Sequence, residues 1–221
     1  MKLLLTSSGI KNDSIETALV ELVGKPKNEI RFAIINEAYA VEDGDKRWII
    51  DEMSELSVRF GGPVDLVSLL ALSSEQIKGR LEPADVIYVL GGNTDYQQDV
   101  FNRSGLTKLL PQLLENYVYV GSSAGSMVMG KRVGSEAYLQ TYGEKGDYGV
   151  KQYLEYVDIS IKPHLNSPDF PNNRVPKLQA MVDTSGDAGF LPLYAIDDQT
   201  AIQVVGNDVK IISEGEWKVF E

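Results

Sequence analysis

Residues 117–129 read Tyr-Val-Tyr-Val-Gly-Ser-Ser-Ala-Gly-Ser-Met-Val-Met. The first four residues form a short apolar run of the kind that makes a buried strand. The next five, Gly121-Ser122-Ser123-Ala124-Gly125, match Gly-x-Ser-x-Gly, the sequence of a nucleophile elbow. This sharp strand-to-helix turn projects a serine hydroxyl off its backbone. Because residues 126–129 can continue as a helix, the stretch predicts strand, turn and helix in the order that the motif requires.

The same alternation of strands and helices extends outward over most of the chain. Strands are predicted at Lys2–Thr6, Ile30–Asn36, Val64–Leu70, Asp85–Leu90, Tyr117–Gly121, Val157–Lys162, Tyr194–Ile196, Ala201–Val205, Val209–Ile212 and Trp217–Phe220. Helices are predicted at Asp13–Val23 with Asp13 as cap, Asp45–Phe60, Ser73–Arg80, about Tyr96–Glu115 and Val175–Asp183. The pattern predicts an α/β fold: one domain over residues 1–221, with a mainly parallel sheet and helices on both faces.

Ligands of such sheets bind beyond the carboxyl ends of the strands. Gly91-Gly92-Asn93 and the turn at Ser123 both follow predicted strands, so we expect them at one sheet edge. The strand ending at Lys162 is expected to bring His164 to that same edge. Residues 134–150, rich in glycine, tyrosine and charge, are predicted to form a long loop or irregular hairpin.

Composition narrows the function classes. The 221 residues carry a net charge of −11, which argues against nucleic acid as a partner because phosphates favour basic surfaces. The chain has no cysteine, so a thiol nucleophile and thiolate metal sites are excluded. No apolar run is long enough to cross a membrane, and the start lacks a signal-peptide pattern, so we expect a cytoplasmic protein.

The chain has one histidine, His164. A serine hydroxyl is a weak nucleophile near neutral pH unless a base removes its proton, and histidine is the usual base. If a histidine of this chain activates Ser123, it must therefore be His164. An amide N–H of the Gly91-Gly92-Asn93 turn could pair with that of Ala124 as an oxyanion hole.

A third residue must orient the histidine and stabilise its charged form. Asp198, at the end of a late strand, and Glu136, between serine and histidine, are the main candidates. Asp158 lies within a predicted strand and could point either way. No metal site is expected, since one histidine and no cysteine leave only carboxylate-rich sites and no calcium-loop spacing occurs.

Three motifs together resemble the aspartyl dipeptidase (peptidase E) family of serine peptidases, to which cyanophycinases are related. They are Gly91-Gly92-Asn93-Thr94, the elbow at Ser123, and Ile161-Lys162-Pro163-His164. The resemblance implies a three-layer, flavodoxin-like sandwich similar to class I glutamine amidotransferases, with serine where those enzymes use cysteine. It also implies Ser123 as nucleophile and His164 as base, with the Gly92 and Ala124 amides as oxyanion donors.

Aligning Ile196-Asp197-Asp198 with the family's Leu-Pro-Glu places the acid at Asp198, with Glu136 as the alternative. By the same resemblance, Asn93 and Met127 are expected to contact the substrate. The chain departs from the dipeptidase branch in having Ser122 for tryptophan and Met127 for asparagine. A preference for N-terminal aspartate therefore stays open. Binding a substrate carboxylate would require a cation, for which the candidates are Lys131, Arg132, Lys162 and Arg174.

The sequence thus predicts a serine peptidase that cleaves small peptides, dipeptides among them, through an acyl-enzyme and without a cofactor. Two alternatives remain: a non-catalytic protein that binds a peptide or metabolite on the same scaffold, and an esterase of small acyl groups. Ordinary backbone angles at Ser123, or a serine-to-histidine distance too long to close, would favour the binding protein.

Overall fold

A seven-stranded sheet and a three-stranded sheet form the framework of the computed structural model, which describes residues 1–134, 142, 148–185 and 189–221. The strands are β1 Lys2–Thr6, β2 Phe32–Ile35, β3 Val64–Leu66, β4 Val86–Val89, β5 Val118–Ser122, β6 Ser160–Lys162, β7 Leu193–Ile196, β8 Thr200–Val205, β9 Asp208–Ser213 and β10 Trp217–Phe220. The helices are α1 Asp13–Val23, α2 Arg47–Phe60, α3 Ser74–Leu81, α4 Thr94–Ser104, α5 Leu106–Asn116, α6 Ala124–Met127 and α7 Val175–Thr184, with 3₁₀ turns at Lys27–Glu29 and Glu37–Val41.

The large sheet has the strand order β3-β2-β4-β5-β1-β8-β9. The first five strands pair in parallel, while β8 and β9 pair antiparallel. Parallel pairing requires crossover connections, and the intervening helices supply them. The prediction of a mainly parallel α/β sheet is confirmed.

Two apolar clusters pack on opposite faces of this sheet. Along β1, Leu3 and Leu5 belong to one cluster and Leu4 to the other, because successive side chains of a strand point to opposite faces. Helices α3, α4 and α5 cover the Leu3 face, and α1 and α2 cover the Leu4 face. These layers make the helix–sheet–helix sandwich expected from the sequence.

The strand that precedes His164 lies in a different sheet from the one predicted. Strand β6 pairs in parallel with β7, which pairs antiparallel with β10, and these three form the small sheet. The expectation that β6 ends on the edge of the large sheet is wrong. The side of β1 away from β5 is already occupied by β8, so the large sheet has no place for β6 there.

Several element boundaries also differ from the sequence prediction. The cap of α1 is Asn12, whose side chain accepts a hydrogen bond from the Ile15 amide, and not Asp13. The long helix predicted over residues 96–115 is two helices, because Gly105 has φ 82°, a left-handed conformation that ends α4. Most of the loop predicted over residues 134–150 lies outside the described residues.

Candidate active site

Ser123 is the single residue that connects β5, which ends at Ser122, to α6, which begins at Ala124. Its backbone has φ 49° and ψ −113°, a strained conformation for a residue with a side chain. The flanking glycines are required by close packing. A Cβ on Gly121 would lie 2.5 Å from the Gly125 carbonyl, and one on Gly125 would lie 2.2 Å from the Val89 oxygen. The small residues of the motif therefore allow the sharp turn.

The side chains of Ser123, His164 and Asp198 form a continuous chain of hydrogen bonds. The Oγ atom of Ser123 lies 2.9 Å from Nε2 of His164. The other ring nitrogen, Nδ1, lies 2.7 Å from Oδ1 of Asp198. This arrangement of hydroxyl, imidazole and carboxylate is the one in which a serine can lose its proton as it attacks.

Two neighbouring strands of the small sheet deliver the histidine and the aspartate. Strands β6 and β7 run in parallel, with Lys162 paired to Ala195. His164 follows the end of β6 by two residues, and Asp198 follows the end of β7 by two residues. Because parallel strands end at the same edge, these side chains meet although they are 34 positions apart in sequence.

The imidazole is held from two further directions. Phe170 stacks on the His164 ring with centroids 4.6 Å apart and an angle of 18° between the planes. The buried hydroxyl of Ser7, which directly follows β1, accepts a hydrogen bond from the His164 backbone amide and donates one to Asp198, both over 2.8 Å. Sequence analysis identified neither residue, although Ser7 lies at the carboxyl edge where ligands bind.

The Asp198 carboxyl is kept ionised by its neighbours. Partial burial acts to raise the pKa of Asp198, but the hydrogen bond and charge of His164 and the hydroxyl of Ser7 outweigh it, and the pKa is lowered. An ionised carboxylate can accept the Nδ1–H hydrogen bond and stabilise a protonated imidazole.

The Gly91-Gly92 turn lies directly against Ser123. A Cβ on Gly91 would be 3.0 Å from the Cβ of Ser123, and one on Gly92, which has φ 131°, would be 2.3 Å from the Ala38 carbonyl carbon. The Ser123 amide donates to the Thr6 carbonyl oxygen. Within the described residues, the Gly92 and Ala124 amides have no such acceptor. Both amides are therefore candidates to receive an oxyanion at Ser123.

A cavity of about 360 Å³ opens over these groups. Its described lining includes Ser123, His164, Asp198, Gly92 and Met127. This volume is at the small end of the range for ligand sites, which suits a short peptide better than a folded chain.

Of the other residues predicted for the site, some line the cavity and others do not. Met127 lines the cavity. Asn93 is buried, and its side chain caps α4 by accepting a hydrogen bond from the Tyr96 amide, so it is absent from the described cavity lining. Asp158 is exposed and pairs with Lys131, away from the cavity. Glu136 lies outside the described residues.

The four cations considered for binding a substrate carboxylate have partners elsewhere, and none is in the described lining of the cavity. The partners are Asp158 for Lys131, Asp95 for Arg132, the Tyr142 ring for Lys162, and the carbonyls of Ser167, Phe170 and Asn173 for Arg174. Among the described residues we find neither a group of three metal-ligating side chains nor a helix that could span a bilayer.

The sequence model of peptidase family S51 matches residues 3–212. The chain belongs to this family. It is therefore a serine-type peptidase, and the family predicted from the three sequence motifs is confirmed.

Two bacterial peptidases are similar to this S51 peptidase in sequence. It is 28% identical over 167 residues to the uncharacterized peptidase PM1590 of Pasteurella multocida, covering 75% of this chain and 77% of the relative. It is 31% identical over 151 residues to the uncharacterized peptidase Lmo0363 of Listeria monocytogenes, covering 65% of this chain and 69% of the relative.

Two crystal structures share the fold. One, a candidate peptidase E from Listeria monocytogenes EGD-e, superposes with a TM-score of 0.76 at 23% identity and covers 97% of this chain and 98% of that one. The other, a peptidase from an acI-B1 Actinobacterium, gives a TM-score of 0.62 at 18% identity over 99% of this chain and 96% of that one. At these identities the likeness concerns the fold alone.

Proposed function

We propose that this S51 peptidase hydrolyses short peptides, dipeptides among them, with Ser123 as nucleophile, His164 as general base and Asp198 as the orienting acid. The observation that carries the proposal is the chain of hydrogen bonds from Ser123 through His164 to Asp198, at 2.9 and 2.7 Å. The cavity of about 360 Å³ above it supports a small substrate.

In the first half of the reaction, Oγ of Ser123 attacks the peptide carbonyl carbon while Nε2 of His164 takes the hydroxyl proton. The carbonyl oxygen becomes negative and is received by the Gly92 and Ala124 amides. His164 then gives its proton to the leaving nitrogen, the C–N bond breaks, and an ester to Ser123 remains.

In the second half, water takes the place of the departed amine. His164 removes a proton from this water as its oxygen attacks the ester carbonyl, and returns the proton to Oγ of Ser123 as the acid product leaves. Throughout the cycle Asp198 holds the imidazole through Nδ1. No cofactor is required by these steps.

The backbone at Ser123 favours a nucleophile over a passive binding site. A non-catalytic protein would have no need for the strained φ of 49° or for a hydroxyl within hydrogen-bond distance of the histidine. An esterase would use the same acyl-enzyme, and no feature of the described cavity favours esters over amides. Rates on matched ester and amide substrates separate these two reactions.

A fluorophosphonate probe tests the proposed nucleophile. Wild-type protein should gain one adduct, which peptide mapping by mass spectrometry should locate on Ser123. Ser123→Ala should gain none, while Ser54→Ala, a change at an exposed helix position, should label like wild type. An adduct on another residue, or undiminished labelling of Ser123→Ala, would refute the assignment. Turnover of a dipeptide library, measured in parallel, covers the case of a cavity too narrow for the probe.

A further inference from the structure

Glu52 is a buried carboxyl group in the wall of the catalytic cavity. It lies on α2 and is 7% exposed. Trp48 and Asp51 of the same helix also line the cavity. Positions 48, 51 and 52 lie on one helix face, so a single face of α2 forms this side of the cavity.

Glu52 is hydrogen-bonded to a buried tyrosine hydroxyl. Tyr88 donates its hydroxyl to Oε1 of Glu52 over 2.8 Å. The hydroxyl of Ser122, the residue before the nucleophile, lies near enough to this carboxyl to act on its pKa in the lowering direction. Burial and the adjacent Glu52 raise the pKa of Tyr88 well above its usual value, so Tyr88 remains a neutral donor. The hydrogen bond from Tyr88 thus holds the Glu52 carboxyl in place.

Within the described residues, Glu52 has no ion-pair partner. Lys11, the one lysine or arginine in the described cavity lining, forms its ion pair with Glu55 over 2.7 Å. Buried carboxylates in proteins are normally paired with a positive charge. The charges of Lys11 and His164 act on Glu52 only from beyond ion-pair distance, so no described cation contacts this carboxyl in a cavity that must accept a ligand.

The local backbone leaves room for this carboxyl. Gly9, with φ 81°, lies beside it, and a Cβ at this position would be 2.9 Å from Oε1 of Glu52 and 2.8 Å from the Tyr88 hydroxyl. Any larger residue would displace the pair.

We propose that Glu52 binds the free N-terminal ammonium group of the peptide substrate. This inference rests on the proposed function, because it places the substrate at Ser123. The ammonium nitrogen of a first residue is two bonds from the carbonyl carbon that Ser123 attacks, and Glu52, Ser122 and Ser123 line the same cavity. The enzyme would therefore remove the first residue of short peptides.

The charge of the cavity also bears on the side chain of that first residue. Besides Glu52 and Asp198, the described lining contains the carboxyl groups of Glu42, Asp51 and Asp169, against the one cation Lys11. Like charges repel across a cavity of this size. The site thus favours a neutral or basic first residue over an aspartate.

A substrate–enzyme double-mutant cycle tests the role of Glu52. The kcat/KM of Ala-Leu and of N-acetyl-Ala-Leu is measured with wild type and with Glu52→Gln. Acetylation should lower the wild-type value about 10–100-fold, the range for a lost hydrogen bond between charged groups. In Glu52→Gln, acetylation should change kcat/KM less than about threefold. Equal cleavage of both peptides by wild type, or an equal loss on both in the variant, would overturn the proposal.

Controls distinguish the loss of an ammonium site from misfolding of the variant and from failure of the proposed function. The neutral fluorophosphonate needs no ammonium site, so Glu52→Gln should still be labelled on Ser123. Glu82→Gln makes the same charge change at an exposed position away from the cavity and should behave as wild type. The comparison of the two peptides with wild type alone remains valid if Glu52→Gln does not fold. Peptide cleavage by Ser123→Ala would refute the proposed function, whereas unaffected cleavage of acetylated peptide would refute only the role of Glu52.

Asp-Leu and Asn-Leu, which differ in charge at nearly constant shape, test the first side chain. Wild type should cleave Asn-Leu with the higher kcat/KM. Faster cleavage of Asp-Leu would show that the carboxyl groups of the cavity lining do not set the preference for the first residue.

Discussion

Ser7 donates its hydroxyl hydrogen to Oδ1 of Asp198 over 2.8 Å. The same hydroxyl accepts a hydrogen bond from the backbone amide of His164. The backbone of His164 has a φ of 64°, which is unusual for a residue with a side chain. One buried side chain at the end of β1 therefore fixes both the acid and the base relative to the large sheet that carries Ser123. Since β6 and β7 belong to the small sheet, Ser7 is a direct link between the two sheets at the catalytic site.

We expect Ser7→Ala to lower kcat about 10–100-fold, the effect of leaving a buried partner unsatisfied by 1–3 kcal/mol. KM should change less, because Ser7 is not in the described cavity lining. Steady-state kinetics on a cleaved dipeptide measure both constants, and a thermal melt measures stability. A variant with a lower melting temperature and unchanged kcat would mean that Ser7 supports the fold alone.

Replacing the acid should reveal which carboxylate orients His164. Asp198→Asn should lower kcat about 10³–10⁴-fold, because an amide can hold the imidazole in the wrong tautomer. The matched change Glu136→Gln should leave kcat within a few-fold of wild type. A large loss in Glu136→Gln with a small one in Asp198→Asn would transfer the role to Glu136.

The lowered pKa of Asp198 has a consequence for acid stability. A carboxyl group whose pKa is lower in the folded state than in the unfolded state stabilises the protein at pH values above its unfolded-state pKa of about 3.9. This stabilisation is lost as the pH falls through the folded-state pKa. Asp198→Asn should therefore lose less unfolding free energy than wild type between pH 5 and pH 2. Urea titrations at several pH values measure this, and identical pH profiles would contradict it.

Glu52 should have the opposite effect on stability. Burial raises the pKa of Glu52, although the hydroxyls of Tyr88 and Ser122 act to lower it. A raised carboxyl pKa costs stability as pH rises above the unfolded value of about 4.3. Glu52→Gln should therefore melt higher than wild type at neutral pH, by a margin that shrinks toward pH 4. A lower melting temperature at all pH values would show that Glu52 is not a source of strain.

The elbow and the mainly parallel sheet were predictable because their signals are local. Residues 117–129 contain the strand, the turn and the helix start within a single stretch, and the close packing at Gly121 and Gly125 tolerates only small side chains. His164 followed by elimination, since the chain has one histidine. Each of these inferences needed only neighbouring residues or composition.

The residues that hold the catalytic side chains in place could not be predicted in this way, because they act through contacts between segments far apart in the sequence. Ser7 is 191 positions from Asp198, and the stacking of Phe170 on His164 depends on the path of a loop. Sequence analysis did not identify Glu52, because its burial depends on how α2 packs against the sheet. The small sheet was missed because a three-residue strand carries too little pattern to show its partner.

The most direct test of the central claim is the kcat/KM of Ser123→Ala on the best dipeptide substrate of the wild-type enzyme. If Ser123 is the nucleophile, the value should fall about 10⁴–10⁶-fold while the circular dichroism spectrum stays unchanged. Turnover within tenfold of wild type in a correctly folded Ser123→Ala protein would contradict the account.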